Sequence, residues 1–421
     1  MAAVTNKLWI ECSVCGDVYD WRDPRSTCVC GGLLSVERDL AALDGLALRR
    51  NFDARLAQRS GREASGVWRY HELIGPFARP VTRPEGNTNI YHLPALRAWT
   101  GCEILLLKHE GENPTGSFKD RGMTAGVSQA VQVGAKALVC ASTGNTSSSL
   151  ASYAALAGLP CVVLVPQGKI ATGKLSQTLA YGARLVQIEG DFDASLTVAR
   201  AICDDMGLYL LNSVNPWRLE GQKSIIFELL QQLEWAVPDW IVLPGGNLGN
   251  TSAFGKALRE LKALGIIARL PRLAVVQAAG ANPFAAAFRQ GFRTFTPVSA
   301  HTVATAINIG NPANYPRARR AVEETNGVVI DVSDDEILEA KAVVDRSGIG
   351  CEPASAATVA GVKRLAAAGV IRRGDMVAGI RTGHVLKDPD SVVSYHVRAG
   401  WQPTVVPATT EAVRRALETL L

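Results

Sequence analysis

A lysine at the start of a predicted helix is the first residue whose position suggests chemistry. Lys119 lies in the segment N-P-T-G-S-F-K-D-R-G at residues 113–122, before a helical pattern for which Ser117 is the expected N-cap. The positive end of a helix dipole eases loss of the ammonium proton, and the neutral amine is the form that Schiff-base chemistry needs. A surface lysine paired with Asp120 is the alternative, and spacing alone does not choose between them.

Two further loops follow predicted strands and are rich in groups that bind anions. Residues 244–251, P-G-G-N-L-G-N-T, hold three glycines in five residues, which predicts a nest of backbone amides for a single phosphate monoester. The loop contains no lysine, which disfavours a nucleoside triphosphate, and a glycine-rich turn without a ligand is the alternative. Residues 142–149, S-T-G-N-T-S-S-S, carry more hydroxyls than a helix cap needs and favour a carboxylate ligand.

Four cysteines lie within the first thirty residues: Cys12, Cys15, Cys28 and Cys30. They form one C-x2-C pair and one C-x-C pair, and a glycine follows each pair. Two such turns supply the four thiolates of a closed, tetrahedral structural zinc site. Because the C-x-C spacing is the less common one, a cysteine-rich turn that binds nothing is the alternative.

Strands and helices alternate along most of the chain and must position these groups. Apolar runs typical of buried strands are at 104–108, 137–141, 161–166, 184–188, 240–243, 273–277 and 376–380. Amphipathic helical patterns are at 117–134, 146–158, 170–182 and 220–233, whereas residues 40–85 are polar, broken by glycine and proline, and expected to be irregular. We therefore expect an α/β fold with two parallel-sheet lobes covered by helices on both faces, plus the N-terminal zinc-ribbon-like segment.

The composition of the chain narrows the class of protein. Its 421 residues are too many for one compact core, and 47% hydrophobic and 20% charged residues argue against disorder. A net charge of +5 without basic clusters gives no reason to expect nucleic acid. We find no apolar run long enough for a membrane helix and no signal-peptide pattern, so we expect a cytoplasmic protein with reduced thiols.

Four motifs, in this order, resemble those of the fold-type II pyridoxal-phosphate enzymes, the tryptophan synthase β-like superfamily, and most closely the threonine synthase family. They are N-P-T-G-S-F-K-D-R-G at 113–122, S-T-G-N-T-S at 142–147, P-G-G-N-L-G-N at 244–250 and C-E-P-A-S-A-A at 351–357. Further similar stretches lie at 85–88, 174–177, 181–183, 211–223 and 381–384, and many microbial members have a similar cysteine-rich start. Asn89 and Ile90 depart from the proline and leucine that the family usually has there.

This resemblance implies pyridoxal 5'-phosphate as the cofactor, carried covalently by Lys119, which also acts as the catalytic base. The residues expected at the cofactor phosphate are Gly245, Gly246, Asn247, Leu248, Gly249, Asn250 and Thr251. Asn145 is expected at the phenolic oxygen of the cofactor, and Thr382 at its pyridine nitrogen. The substrate-binding residues implied are Thr143, Asn145 and Thr146 for the carboxylate and Asn212, Ser213 and Arg218 for a phosphate. Cys351, Glu352 and residues 301–311 receive no individual role.

The implied reaction converts O-phospho-L-homoserine and water into L-threonine and phosphate. A threonine dehydratase needs no second phosphate site, so Arg218 disfavours that alternative, whereas a cysteate synthase acting on phosphoserine and sulfite would keep such a site and stays open. A non-catalytic zinc-ribbon adaptor that binds nucleic acid is disfavoured by Lys119 and by the lack of basic clusters. The expected partners are a small phosphorylated amino acid and a second copy of the chain in a homodimer, without nucleic acid or membrane.

The resemblance also implies a domain layout. Residues 1–38 form the cysteine-rich segment, 39–121 and 211–400 a large lobe that holds the cofactor phosphate, 122–210 a small mobile lobe, and 401–421 a C-terminal helix. The substrate is expected between the two lobes, where closure excludes water.

Overall fold

The computed structural model of the protein describes residues 7–167, 172–190, 192–398 and 400–420. The strands in these residues are β1 (Leu8–Cys12), β2 (Val18–Asp20), β3 (Leu34–Arg38), β4 (Ile90–Tyr91), β5 (Ile104–His109), β6 (Leu138–Ala141), β7 (Cys161–Pro166), β8 (Arg184–Ile188), β9 (Tyr209–Leu210), β10 (Trp240–Pro244), β11 (Arg272–Ala278), β12 (Val328–Val332) and β13 (Met376–Arg381). The α-helices are α1 (Gly45–Ala54), α2 (His71–Ile74), α3 (Pro94–Thr100), α4 (Lys119–Gln132), α5 (Asn145–Ala157), α6 (Thr172–Ala180), α7 (Phe192–Met206), α8 (Pro216–Gln232), α9 (Gly249–Ala263), α10 (Pro283–Arg289), α11 (Tyr315–Glu324), α12 (Asp334–Arg346), α13 (Pro353–Ala367), α14 (Pro389–Arg398) and α15 (Thr410–Leu420).

The strands form three sheets. The first three strands make a small antiparallel sheet in the order β2-β1-β3. A six-stranded sheet has the order β12-β11-β10-β13-β5-β4 and is parallel except for β4, and a four-stranded parallel sheet has the order β8-β7-β6-β9. The predicted α/β fold with two parallel sheets is thus confirmed.

Both faces of the six-stranded sheet are buried. Along β10, Ile241 and Leu243 belong to one hydrophobic core, whereas Trp240 and Val242 belong to another. Successive residues of a strand point to opposite faces of its sheet, so the two cores lie on opposite sides. This arrangement explains why the strand is a continuous apolar run in the sequence.

Two sequence-based expectations about where helices begin are wrong. Ser117 does not cap α4, because the helix begins one residue later with Phe118 at the N-cap, while Ser117 pairs with Gly383 in an isolated bridge. The pattern at 220–233 begins too late, because Asn215 caps α8 by accepting hydrogen bonds from the backbone of Trp217 and Arg218. Six of the described strands, β1–β4, β9 and β12, were not predicted. The first two residues of the helix predicted at 170–182 lie outside the described residues.

The segment from residue 40 to 85, expected to be polar and irregular, contains α1 and a buried aromatic cluster. The ring of Phe77 lies 5.7 Å from that of Trp68 and 5.1 Å from that of Trp217 on α8. Both tryptophans are fully buried. The expectation was wrong because glycine and proline interrupt the hydrophobic periodicity of this segment. The few large apolar residues between them were therefore not recognised as core residues.

The N-terminal sheet is joined to the same core. Ile10, Leu34 and Val36 are buried in the hydrophobic cluster that also contains residues of α8 and α9. Arg38 at the end of β3 forms a buried ion pair with Glu220 of α8. The division into lobes and segments nevertheless stays a prediction.

Residues 388–421 form a separate compact unit, which contains α14 and α15. Within the described parts of the chain, no helix combines the length and the apolar character needed to span a membrane. The predicted homodimer and cytoplasmic localisation stay predictions.

Candidate active site

The motifs singled out in the sequence lie at the carboxyl ends of strands in both parallel sheets. The lysine loop follows β5, the glycine turn follows β10 and Thr382 follows β13, all in the six-stranded sheet. The S-T-G-N-T-S loop follows β6 and residues 211–215 follow β9, which is the neighbour of β6 in the four-stranded sheet. Ligands of open α/β sheets bind at this edge, so the fold brings all five segments to the expected place.

Lys119 is the first residue of α4 and is half-buried, with its Nζ 4.3 Å from the centre of the Phe118 ring. Burial lowers the pKa of Lys119 to about 7; the charge of Arg218 also lowers it, and that of Glu352 raises it. About half of the amine is therefore neutral near pH 7, which is the state a nucleophile and base requires.

The alternative of a surface lysine paired with Asp120 is wrong. Asp120 is buried and accepts hydrogen bonds from the hydroxyls of Thr115 at 2.6 Å and Ser149 at 2.5 Å. Burial raises its pKa to about 6. Asp120 therefore ties the lysine loop to α5.

The glycine turn presents a row of unused backbone donors. Among the described residues, no acceptor is found for the N–H groups of residues 246–251, and the buried Asn250 Oδ1 and Thr251 Oγ1 also have no partner. Leu248 has a positive φ of 61°, which turns the chain into α9. A Cβ on Gly246 would lie 3.0 Å from Ile307 Cα, so glycine is needed for this close approach. The turn fits a phosphate group at the start of α9.

Glu352 joins the two residues expected to contact the cofactor ring. Its buried carboxylate accepts hydrogen bonds from Asn145 Nδ2 at 2.9 Å and from Thr382 Oγ1 at 3.3 Å, and Thr382 Oγ1 also lies 2.9 Å from Ser355 Oγ. Burial raises the pKa of Glu352, and the charges of Lys387 and Lys119 oppose that rise. Sequence reasoning missed Glu352 and Ser355, although both lie in the quoted C-E-P-A-S-A-A motif.

The residues expected to bind the substrate carboxylate lie at the open end of α5. Asn145 is the first residue of the helix, and Thr143 and Thr146 are half-buried beside it. The hydroxyls of both threonines bond to no other described residue. They are free to donate to an anion at the helix N-terminus.

The three residues expected to bind a substrate phosphate differ in which of their hydrogen-bonding groups already have a partner. Arg218 is buried and donates from Nη1 to Leu211 O at 3.1 Å, while its Nε and Nη2 have no acceptor in the described parts of the chain. Burial lowers its pKa to about 10. Asn212 bonds both ways to the backbone of Ala141, at 3.0 and 2.9 Å, and Ser213 Oγ accepts from Asn247 Nδ2 at 2.5 Å. Arg218 therefore carries the free charged donors of this set.

Lys387 is a second residue that sequence reasoning missed. Its Nζ donates to Thr115 O at 3.1 Å, to Ser148 Oγ at 3.0 Å and to Gln177 Oε1 at 2.7 Å. It therefore links the lysine loop, α5 and α6 at a single ammonium group. The only signal in the sequence is its position three residues after the R-T-G-H stretch at 381–384.

The four N-terminal cysteines are brought together as predicted from their spacing. Their Sγ atoms all lie within 4.8 Å of one another, with 3.5 Å between Cys12 and Cys30 and 3.5 Å between Cys15 and Cys28. The backbone amides of Val14 and Gly32 donate to Cys12 and Cys30, both at 3.4 Å. Four sulfurs at this separation fit the corners of a tetrahedral zinc site, and each pair uses its turn to direct an amide at a thiolate.

Comparisons with known proteins agree with this site. Residues 81–383 match the family of pyridoxal-phosphate dependent enzymes. The threonine synthase of Methanosarcina acetivorans is 46% identical over 411 residues, covering 97% of this chain and 98% of the relative. That of Methanocaldococcus jannaschii is 42% identical and covers 97% and 99%. The crystal structure of Escherichia coli threonine synthase has a similar fold, with a TM-score of 0.66 at 18% identity over 94% of this chain and 90% of that one.

The chain therefore belongs to the pyridoxal-phosphate dependent enzymes and, among them, to the threonine synthase family. This confirms the resemblance inferred from the four ordered motifs.

Proposed function

We propose that the protein converts O-phospho-L-homoserine and water into L-threonine and inorganic phosphate. The observation that carries this proposal is Arg218, a buried arginine with two donor nitrogens that no described residue accepts from. It is separate from the glycine turn, so the chain offers one anion site to the cofactor phosphate and a second to the substrate. The full-length similarity to threonine synthases supports the same reaction.

The residues that would hold pyridoxal phosphate fit it at three points. The free amides of 246–251, together with Thr251 Oγ1, would hold its phosphate, and Lys119 would supply the amine that carries it. Asn145 and Thr382, bridged by Glu352, would hydrogen-bond the oxygen and nitrogen of the ring. When bound, the cofactor withdraws electrons from the substrate so that protons at Cα and Cβ become acidic.

Lys119 performs the proton transfers. Its pKa of about 7 lets the amine take a proton from Cα and return one at neutral pH. One flexible four-carbon stem reaches both Cα and Cβ, so a single base serves both positions. Glu352 orients Asn145 and Thr382 for this chemistry.

Arg218 binds the phosphate that leaves. Its free Nε and Nη2 lie on one edge of the guanidinium and are suited to two oxygens of a dianion. Such donors stabilise the negative charge that grows on the leaving phosphate as the C–O bond breaks. A proton is then returned to Cγ, which becomes the methyl group, and water adds at Cβ within the closed site.

A phosphate-release assay tests the proposed reaction. Purified protein with pyridoxal phosphate should release phosphate from O-phospho-L-homoserine and form L-threonine in equal amount. Phosphoserine with sulfite, the substrate pair of a cysteate synthase, should give no comparable release. L-threonine alone should give no 2-oxobutanoate at a similar rate, as a dehydratase would. Faster release from phosphoserine with sulfite would assign the protein to the cysteate synthases.

The cysteine centre is proposed to hold one structural zinc ion. Four thiolates leave no open position for water, so the ion has no catalytic duty. Metal analysis of protein never exposed to chelator should give about one equivalent of zinc per chain, and a variant with Cys15→Ser and Cys30→Ser should give none. Less than about a tenth of an equivalent in the unaltered protein would contradict the zinc site.

A further inference from the structure

Asn314 lies between the two loops that carry the anion sites. Its buried amide Nδ2 donates to two carbonyl groups, Ser213 O and Asn247 O, each at 3.2 Å. Ser213 belongs to the loop with Arg218, and Asn247 belongs to the glycine turn. A second link joins the same loops, because Asn247 Nδ2 donates to Ser213 Oγ at 2.5 Å.

Arg317 contacts the oxygen of the Asn314 amide, opposite the nitrogen that bonds to the two loops. It lies one helical turn further along α11 and donates from Nη1 to Asn314 Oδ1 at 3.4 Å, which fixes the amide with its Nδ2 toward the two carbonyls. Its Nη2 donates to Leu34 O on β3, and Leu34 is paired with Cys12 of β1. The support of Asn314 therefore extends to the sheet that carries the cysteine centre.

We propose that Asn314 is a positioning residue that sets the spacing between the cofactor-phosphate turn and the substrate-phosphate pocket, with Arg317 as its anchor. The inference rests on the proposed function. A substrate held at the cofactor can place its own phosphate at only one distance from the cofactor phosphate. Asn314 keeps that distance constant without touching either phosphate.

This role predicts a selective loss. When the loops move apart, a ligand that must reach both sites binds less well, whereas an amino acid without a phosphate still binds. Asn314→Ala removes both bonds to the loops. Asn314→Asp keeps the shape and the acceptor for Arg317 but replaces the donor by a negative charge that repels both carbonyls, whereas Asn314→Ala removes the donor without adding charge.

The experiment compares two ligands on the holoenzyme. One is the phosphonate analogue of O-phospho-L-homoserine in which CH2 replaces the bridging oxygen, which prevents elimination, and the other is L-threonine. Dissociation constants come from the change in cofactor absorbance. For Asn314→Ala and Asn314→Asp we expect the constant for the phosphonate to rise about tenfold, the effect of one or two lost hydrogen bonds. That for L-threonine should change less than about twofold.

Steady-state kinetics should show the same selectivity. The KM for phosphohomoserine should rise about tenfold while kcat changes little, and Arg317→Met should act in the same direction, with partial rescue in Arg317→Lys. Arg320→Met is the matched control, because this exposed arginine of α11 pairs only with Glu324 among the described residues. It should leave both dissociation constants unchanged.

Two results would overturn the inference. One is unchanged phosphonate binding in both Asn314 variants, and the other is an equal loss for L-threonine, which would indicate a general disturbance of the fold. Failure of the proposed function is seen separately, as absence of phosphate release from phosphohomoserine by the unaltered protein.

Discussion

The two proposed anion sites of this protein are built in opposite ways. The glycine turn presents backbone N–H groups at the start of α9 and contributes no formal charge, whereas the second proposed site depends on the charged guanidinium of Arg218. Backbone amides are fixed by the fold and need no ordering when a ligand arrives. A buried charge is costly to keep, and burial already lowers the pKa of Arg218 to about 10.

This difference suits the different times for which the two phosphates are expected to stay bound. A cofactor phosphate stays through every turnover, and a neutral, rigid nest suits it. A substrate phosphate must bind as a dianion, leave as one and be released, and the positive charge of Arg218 stabilises each of these states. The charge also lowers the pKa of Lys119, so the second site has an effect on the catalytic amine that the nest does not have.

Lys119→Ala should show the largest effect. It distinguishes cofactor binding by the glycine turn from the covalent attachment and proton transfers of Lys119. Turnover should fall by at least about 10³-fold, because both the covalent attachment of the cofactor and the proton transfers are lost. The nest should still bind pyridoxal phosphate weakly, as measured by equilibrium dialysis. More than about a hundredth of the normal rate would contradict the assignment of Lys119.

Arg218→Ala should lower kcat/KM for phosphohomoserine by roughly 10²–10³, the scale of losing a strong donor to the leaving group. Arg218→Lys should recover only part, because an ammonium lacks two parallel donors. At a pH well above the midpoint for Lys119, the affinity for pyridoxal phosphate should be unchanged, since the glycine turn is a different part of the chain. The exposed Arg373, paired with Glu103, provides the control Arg373→Ala. Phosphate release at the normal rate by Arg218→Ala would place the leaving-group site elsewhere.

Thr251→Val alters the nest and should give the reverse pattern. The substitution keeps the size of the side chain but removes a buried hydroxyl that has no partner among the residues described. The dissociation constant of pyridoxal phosphate should rise about tenfold, as expected for one hydrogen bond to a charged group. At saturating cofactor the KM for phosphohomoserine should stay the same. A raised KM with normal cofactor affinity would show that Thr251 serves the substrate.

The smallest effect is a shift in pH dependence. Cofactor loading of the apoenzyme needs the neutral Lys119 amine, so its rate should rise with pH around a midpoint of about 7 and then level off. A lysine with the ordinary pKa of 10.5 would give a rate that still rises at pH 9.

Two variants should move this midpoint in opposite directions. Arg218→Ala removes a positive charge that lowers the pKa of Lys119, so the midpoint should rise. Glu352→Gln removes a negative charge that raises it, so the midpoint should fall. Absorbance at several pH values measures both shifts, and equal midpoints in all three proteins would contradict the electrostatic coupling.

The sequence was sufficient for the parts of the site that are continuous in the chain. Lys119, the glycine turn and the cysteine pairs are each recognisable because their chemistry depends on neighbours within a few residues. The seven predicted strands agree with the structure to within two residues, because a strand in a parallel sheet covered on both faces is a continuous apolar run. Strands β1–β4, β9 and β12 were not predicted.

Groups that depend on distant partners were not predictable. Glu352 contacts Asn145, which is 207 positions away, and Lys387 contacts Ser148, which is 239 positions away. Neither pair leaves a local pattern. Asn212 shows the converse, because a residue expected at the substrate has its amide bonded to the backbone of β6.

The position of the cysteine sheet has a consequence for biosynthesis. Leu34 is secured by Arg317, 283 residues later, and Arg38 by Glu220, 182 residues later. At about 5–20 residues per second the ribosome needs roughly 15–55 seconds to make the first of these intervals. During that time the four thiols have left the exit tunnel while the helices that cover their sheet do not yet exist. The cysteine segment is therefore made well before the last of the residues that secure it, and its thiols depend on the redox state of their surroundings until then.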